Sequence, residues 1–202
     1  MTPIKVERSE DGAHISSVDL LAAEVATIRE LIDRMAESRP EASFLMSPET
    51  GRVLTFLGLQ EQSQVFSTQL QRCGLEPGDK VAFLMDNGIF TAQLFLGVMY
   101  AGLVSVPLNV RAGVSQLSYM VEHSDAKVVF VGDEYEALAT EVMTQVSRPV
   151  RVIRYEVDDA WAMGDTAASG TLTVPPSPED VALLMYTSGS TGHPKAAVHS
   201  HR

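Results

Sequence analysis

Val181-Ala182-Leu183-Leu184-Met185-Tyr186-Thr187-Ser188-Gly189-Ser190-Thr191-Gly192-His193-Pro194-Lys195 joins two kinds of sequence. Its first five residues are a short apolar run and read as a buried strand. The rest places two glycines and four Ser/Thr hydroxyls ahead of a lysine. Glycine lets backbone N–H groups approach an anion closely, because no Cβ intervenes. The hydroxyls of Thr187, Ser188, Ser190 and Thr191 add donors to phosphate oxygens, and Lys195 adds a point charge. A strand that runs into a glycine-rich turn is where nucleotide phosphates sit in many α/β proteins. The plain alternative is a Ser/Gly-rich surface turn.

A Walker A loop does not account for the run. That motif needs Gly directly before Lys and Ser or Thr directly after it. Here Pro194 precedes Lys195 and Ala196 follows it. Proline has no N–H and a fixed φ, so it cannot join a cradle of backbone donors.

Upstream, the chain alternates strand and helix. Lys80 to Met85 reads as a strand, Ile89 to Ala101 as a helix and Leu103 to Val106 as a strand. The helix is apolar on nearly every side, which predicts burial in a layered core. The rhythm continues with a helix near Ser115 to Glu122 and a strand over Lys127 to Val131. A helix over Glu134 to Val146 and a strand over Val150 to Ile153 follow. Such alternation implies an α/β fold with a largely parallel sheet.

Nearer the N-terminus, Leu21, Val25, Ile28, Ile32 and Met35 recur at helical spacing, predicting a helix from Ser16 to Ser38. Ser16 with Asp19 forms an acidic variant of a capping box, and Pro40 marks the end. Ala42 to Met46 and Arg52 to Thr55 read as short strands around a turn. Thr55 then caps a helix running to Cys73. Gly74 suits the left-handed position after it, and Leu70 with Leu75 suits the contact of a Schellman motif. Cys73 reads as a packed core thiol. Glu156 to Asp180 reads as a long acidic surface loop, pinned by Trp161.

The chain has 202 residues, 45% of them hydrophobic, enough for a sizeable core. No apolar run is long enough to span a bilayer, and no signal-peptide apolar region follows Met1. A single cysteine excludes an internal disulfide framework and fits a reducing cytoplasm. A net charge of −11 argues against nucleic-acid partners.

The run from Tyr186 through Lys195 resembles the signature loop of the adenylate-forming superfamily, which holds acyl-CoA synthetases, peptide-synthetase adenylation domains and luciferases. It departs only at Ala196, where glycine is usual. Tyr100-Ala101-Gly102-Leu103-Val104-Ser105-Val106-Pro107-Leu108-Asn109-Val110-Arg111 resembles an earlier segment of the same superfamily. So do Leu117 to Met120 and His123 to Lys127. The likeness runs from about Glu41 to Arg202; the first forty residues carry no usable motif.

The resemblance implies a layered αβαβα subdomain, with residues 1–15 as a tail and 16–202 as part of an N-terminal ATP-binding domain. It implies an ATP-dependent ligase that activates a carboxylic acid as acyl-adenylate and passes it to a thiol. Pro107-Leu108-Asn109 leans toward coenzyme A as the acceptor over amino-acid-activating domains. ATP, Mg2+ and coenzyme A are the implied cofactors, with magnesium held by ATP, water and a carboxylate outside this chain. Thr187, Ser188, Gly189, Ser190, Thr191, Gly192 and Lys195 are the implied phosphate-binding residues, with Lys195 neutralising charge in the reaction. The adenine, ribose and acyl-pocket segments of the superfamily follow this loop and are expected in a missing C-terminal portion. The expected partners are therefore that portion or, through exposed core surface, further copies of the chain. The competing reading is a non-catalytic module that binds a nucleotide or a partner.

His199 and His201 do not share a helix face, so a helix-borne metal pair is not expected. Both read as residues of a helix that starts after the loop. His123 reads as structural. Glu122 and Asp125 read as solvated helix-end charges. Asn109 and Arg111 read as fixing the turn after a strand.

Overall fold

A computed structural model describes residues 25–155, 174–187 and 194–202. The elements alternate as the hydrophobic periodicity predicts. Helix α1 (Ile28–Ser38) precedes a two-stranded antiparallel ribbon, β1 (Ser43–Met46) and β2 (Val53–Thr55). Then come α2 (Phe56–Arg72), β3 (Lys80–Leu84), α3 (Ile89–Tyr100), β4 (Val104–Pro107) and α4 (Val114–His123). The chain continues through β5 (Ala126–Gly132), a short 3-10 turn, α5 (Glu136–Thr144) and β6 (Arg151–Tyr155). It ends with β7 (Val181–Thr187) and β8 (Lys195–Ser200).

One six-stranded sheet, in the order β6-β5-β3-β4-β7-β8, carries the fold. β3 pairs in parallel with β4 and β5, β5 with β6, and β4 with β7. Only β7 and β8 pair antiparallel. The expected α/β class and largely parallel sheet are therefore correct.

The sheet is covered on both faces, because alternate residues of each strand point opposite ways. Val81, Phe83 and Met85 turn to Phe66 and Leu70 of α2 and to Phe90, Leu94 and Val98 of α3. Ala82 and Leu84 turn to Leu117, Met120 and Val121 of α4 and to Ala139 and Val142 of α5. Ile32 of α1 joins Leu54, Leu59 and Tyr100 in a smaller outer cluster. A Cβ added to Gly97 would meet the Phe66 ring at 3.3 Å, so glycine sets the approach of α3 to α2.

The helix ends follow their sequence signals. Gly58 N–H donates to Thr55 Oγ1 at 3.1 Å, as expected of a cap. Leu75 N–H reaches Leu70 O, Gly74 N–H reaches Gln71 O, and Gly74 sits at φ +82°: the complete Schellman pattern. Cys73 is half-buried at that helix end, a position at the margin of the core and not in it.

Helix α1 starts at Ile28, later than its apolar stripe suggested. Thr27 accepts from Glu30 N–H at 3.2 Å, and Glu30 Oε2 accepts from Ala26 N–H at 2.9 Å. Thr27 is the N-cap, and Glu30 reaches back to the residue before it, a variant of the capping box that sets the helix start there. Ser16, Asp19 and Trp161 lie outside the described residues. The helix expected to hold His199 and His201 is replaced by a strand. Ala196 pairs with Tyr186, Ala197 with Met185 and Val198 with Leu184. Pairing to a neighbouring strand outweighs the weak local preference of this short segment.

Candidate functional site

β7 runs parallel to β4 and ends at Thr187, so the glycine-rich run departs from the C-terminal edge of the parallel strands. In open α/β sheets that edge is where ligands bind. Ser188, Gly189, Ser190, Thr191 and Gly192 lie outside the described residues. The two residues that flank them are described. Thr187 and Lys195 are direct partners across the antiparallel pair, and Thr187 Oγ1 lies 3.4 Å from Lys195 O. The antiparallel pair therefore sets Thr187 beside Lys195, with the Thr187 hydroxyl at the lysine's backbone carbonyl.

Both flanking residues are exposed. Among the described residues no acid forms an ion pair with Lys195. Exposed as it is, Lys195 can meet an anion from solvent at small desolvation cost. Pro194 is buried just before it and fixes the chain where β8 starts. No three His, Cys, Asp or Glu side chains converge among the described residues in a way that would hold a metal.

Tyr186, the penultimate residue of β7, was not singled out by the chemistry of the run. It points to the α4 face of the sheet and is half-buried there. Its hydroxyl lies 2.9 Å from His123 Nδ1 at the end of α4. Burial disfavours the phenolate and pushes its pKa up to about 12, with Tyr119 adding to the rise and a hydrogen bond with Ser124 opposing it, so the hydroxyl stays protonated. His123 is structural, as expected, but its partner is the strand that launches the loop. A Tyr at the start of a glycine-rich run and a His 63 residues earlier carry no sequence signal of contact.

The remaining candidates resolve individually. Asn109 Oδ1 accepts from Arg111 N–H at 3.0 Å, fixing the turn after β4 as expected. Asp125 ends α4 in the left-handed region at φ 55°. Glu122 is not a merely solvated charge. It accepts from both the backbone N–H and the hydroxyl of Ser147, which holds its carboxyl below the usual range. His199 is exposed on β8. His201 is 9% exposed, and its Nδ1 lies 3.4 Å from Ile28 N–H at the start of α1. Burial lowers its pKa, with Asp180 opposing. The two histidines serve different places and do not form a pair.

The sequence pattern of the AMP-binding enzyme family matches residues 32–202. The chain is 35% identical over 178 residues to the sulfoacetate–CoA ligase of Cupriavidus necator, covering 87% of this chain and 35% of that protein. It is 30% identical over 172 residues to the long-chain-fatty-acid–CoA ligase FadD13 of Mycobacterium tuberculosis, covering 85% of this chain and 34% of that one. The chain thus spans about a third of the length of the curated relatives it matches. Among solved structures, the inhibitor-bound N-terminal domain of FACL13 from Mycobacterium tuberculosis superimposes with a TM-score of 0.71 at 27% identity. That match covers 87% of this chain and 44% of that domain. VinN in complex with L-aspartate superimposes at 0.73 and 29% identity, covering 87% and 44%.

Proposed function

Since the chain belongs to the AMP-binding enzyme family, we propose that it is the phosphate-gripping part of an ATP-dependent, AMP-forming carboxylic acid–CoA ligase. The observation that carries this reading is the β7–β8 hairpin. It sets Thr187 against Lys195 at the C-terminal sheet edge, with the glycine-rich run between them. The relatives named as CoA ligases support the acid and the thiol as co-substrates.

The chemistry explains why such a run is needed. A carboxylate must attack the α-phosphate of ATP, and two anions repel. Charge also gathers on the pyrophosphate as it leaves. Donors and a cation aimed at the β- and γ-phosphates offset that charge without reorganising. Gly189 and Gly192 give the backbone close approach, Thr187, Ser188, Ser190 and Thr191 donate hydroxyls, and Lys195 supplies the charge. A thiol, that of coenzyme A, then attacks the acyl carbonyl and releases AMP. Mg2+, carried by the nucleotide, would neutralise phosphate oxygens.

The domain reading belongs to the same proposal: residues 16–202 are part of an ATP-binding domain that works with segments supplying adenine, ribose and acyl contacts. Residues 1–202 alone are expected to hold phosphate without adenylating an acid, because contact without a positioned carboxylate gives no rate enhancement. The test is acid-dependent pyrophosphate release across a panel of carboxylates. It is run on residues 1–202 and on the longest product of the gene, with mass in solution measured alongside. Release by the longer product alone supports the reading. Release by residues 1–202 as a monodisperse monomer overturns the division of labour. ATP binding with no release by either favours the non-catalytic module.

A further inference from the structure

Beyond Leu183, the described pairing of β7 with β4 stops: Ser105↔Leu183 is its register position. From Leu184 to Thr187 the strand is laddered on one side only, to β8. β8 is the other arm of the same hairpin and lies at the sheet edge, so it cannot by itself fix where the hairpin end points. On the α4 side, polar contacts at the helix end tie this segment to the body of the fold: His123 meets the Tyr186 hydroxyl, and the neighbouring Ser124 side chain also hydrogen-bonds to it. Tyr186 Oη lies 2.9 Å from His123 Nδ1, and the two rings meet edge to face at 5.9 Å and 81°. The His123 ring is itself braced by Tyr119, one helical turn earlier, with centroids 5.2 Å apart and planes at 29°. Ser124 caps α4 and is buried, and Asp125 turns the chain sharply after it, so His123 sits on a fixed helix end.

We propose that His123 is a positioning residue for nucleotide binding: through the Tyr186 hydroxyl it sets the direction in which β7 delivers the glycine-rich run and Lys195. The idea rests on reading that run as a phosphate site. When the imidazole carries its proton on Nε2, Nδ1 accepts from the tyrosine hydroxyl, the arrangement that the variants probe. The contact lies two residues from Ser188 and next to Thr187. A loosened strand end would therefore blur the position of donors that must meet the β- and γ-phosphates together, and misplacement is costly at such sites. His123 is exposed, which places the effect in the range of an ordinary hydrogen bond.

Four variants of the longest gene product test this: Tyr186→Phe, His123→Ala, their double mutant and His123→Asn. The asparagine Oδ1 can accept near the place of Nδ1. Calorimetry with ATP and with AMP, and thermal melting, are the readouts. ATP binding is expected to weaken about 2- to 10-fold in each single variant. The double variant should be no worse than Tyr186→Phe, which also gives up the Ser124 contact, and His123→Asn should recover most of the loss of His123→Ala. AMP lacks the β- and γ-phosphates, so its affinity should hold. Additive single effects, or equal losses for ATP and AMP, would show a merely structural contact and overturn the proposal. Lys195→Ala, run in parallel, separates the two levels. If it weakens ATP binding while Tyr186→Phe does not, the positioning role fails and the phosphate site stands. If neither weakens it, or the unmodified protein does not bind ATP, both fail.

Discussion

β5 and β7 are both seven-residue strands of one sheet, yet they live in different surroundings. In β5, Ala126–Gly132, every residue is buried except Lys127. In β7, Val181–Thr187, only Ala182 is buried. β5 lies between β3 and β6 and is covered by helices on both faces. β7 lies between β4 and an edge hairpin arm, and carries the candidate site at its end. The contrast separates two tasks. Apolar burial in the β3–β4–β5 region holds the fold, while the β7–β8 hairpin leaves Val181, Met185 and Val198 exposed together with Thr187 and Lys195. Sites are commonly drawn from such less protected elements, supported by a rigid scaffold.

Truncating the buried strand should give the largest loss. Phe130→Ala removes a ring that is 1% exposed between the sheet and α2/α3. It is expected to destabilise by about 3–5 kcal/mol, read by denaturant titration. A loss under about 1 kcal/mol would mean that the β5 core is not what holds the fold. At the other strand the same logic inverts. Lys195→Ala should slow ATP–pyrophosphate exchange roughly 10- to 1,000-fold in the longest gene product. Its melting should barely move, because the ammonium is exposed and unpaired among the described residues. Unaltered exchange would remove Lys195 from the mechanism and with it the division of tasks.

Thr55→Ala probes the scaffold more gently. It deletes the acceptor for Gly58 N–H at the start of α2 and should cost about 1 kcal/mol, again by denaturant titration. The smallest expected effect is a pH dependence on the hairpin side. His201 is buried and its folded pKa lies below 6.5, so the folded state binds its proton less readily than the unfolded chain. Its contribution is intact above that value and is lost as the pH falls through the folded pKa. Melting of the protein should drop more between about pH 7.5 and 5.5 than melting of His201→Gln, with Asp180 moderating the difference. Identical slopes would show that His201 stays solvated.

Much of this was legible in the sequence, because its signals were local. The apolar runs of β3, β5 and β7, the Thr55 cap and the Gly74 turn each follow from a few neighbouring residues. The proposed phosphate run stands out in the sequence because Gly189, Gly192 and Lys195 are close together. What sequence missed depends on partners far along the chain. Lys195–Ser200 becomes a strand through pairing with β7, and local preference alone gave a helix. The contact of His123 with Tyr186 spans 63 positions and two elements. Glu122 finds Ser147 only after β5 and α5 fold back. The start of α1 was misplaced because two capping signals compete on one apolar stripe, and Thr27 with Glu30 forms the one observed.

The central claim is that the run leaving β7 grips nucleotide phosphate through its backbone. Gly189→Val tests it most directly, because a β-branched side chain obstructs close approach of an anion and disfavours positive φ. The measurement is calorimetric titration of ATP into the longest gene product and into this variant, with melting recorded to confirm that both are folded. The account predicts binding by the unmodified protein and none by the folded variant. Equal affinity in the two would contradict it and place the phosphates elsewhere.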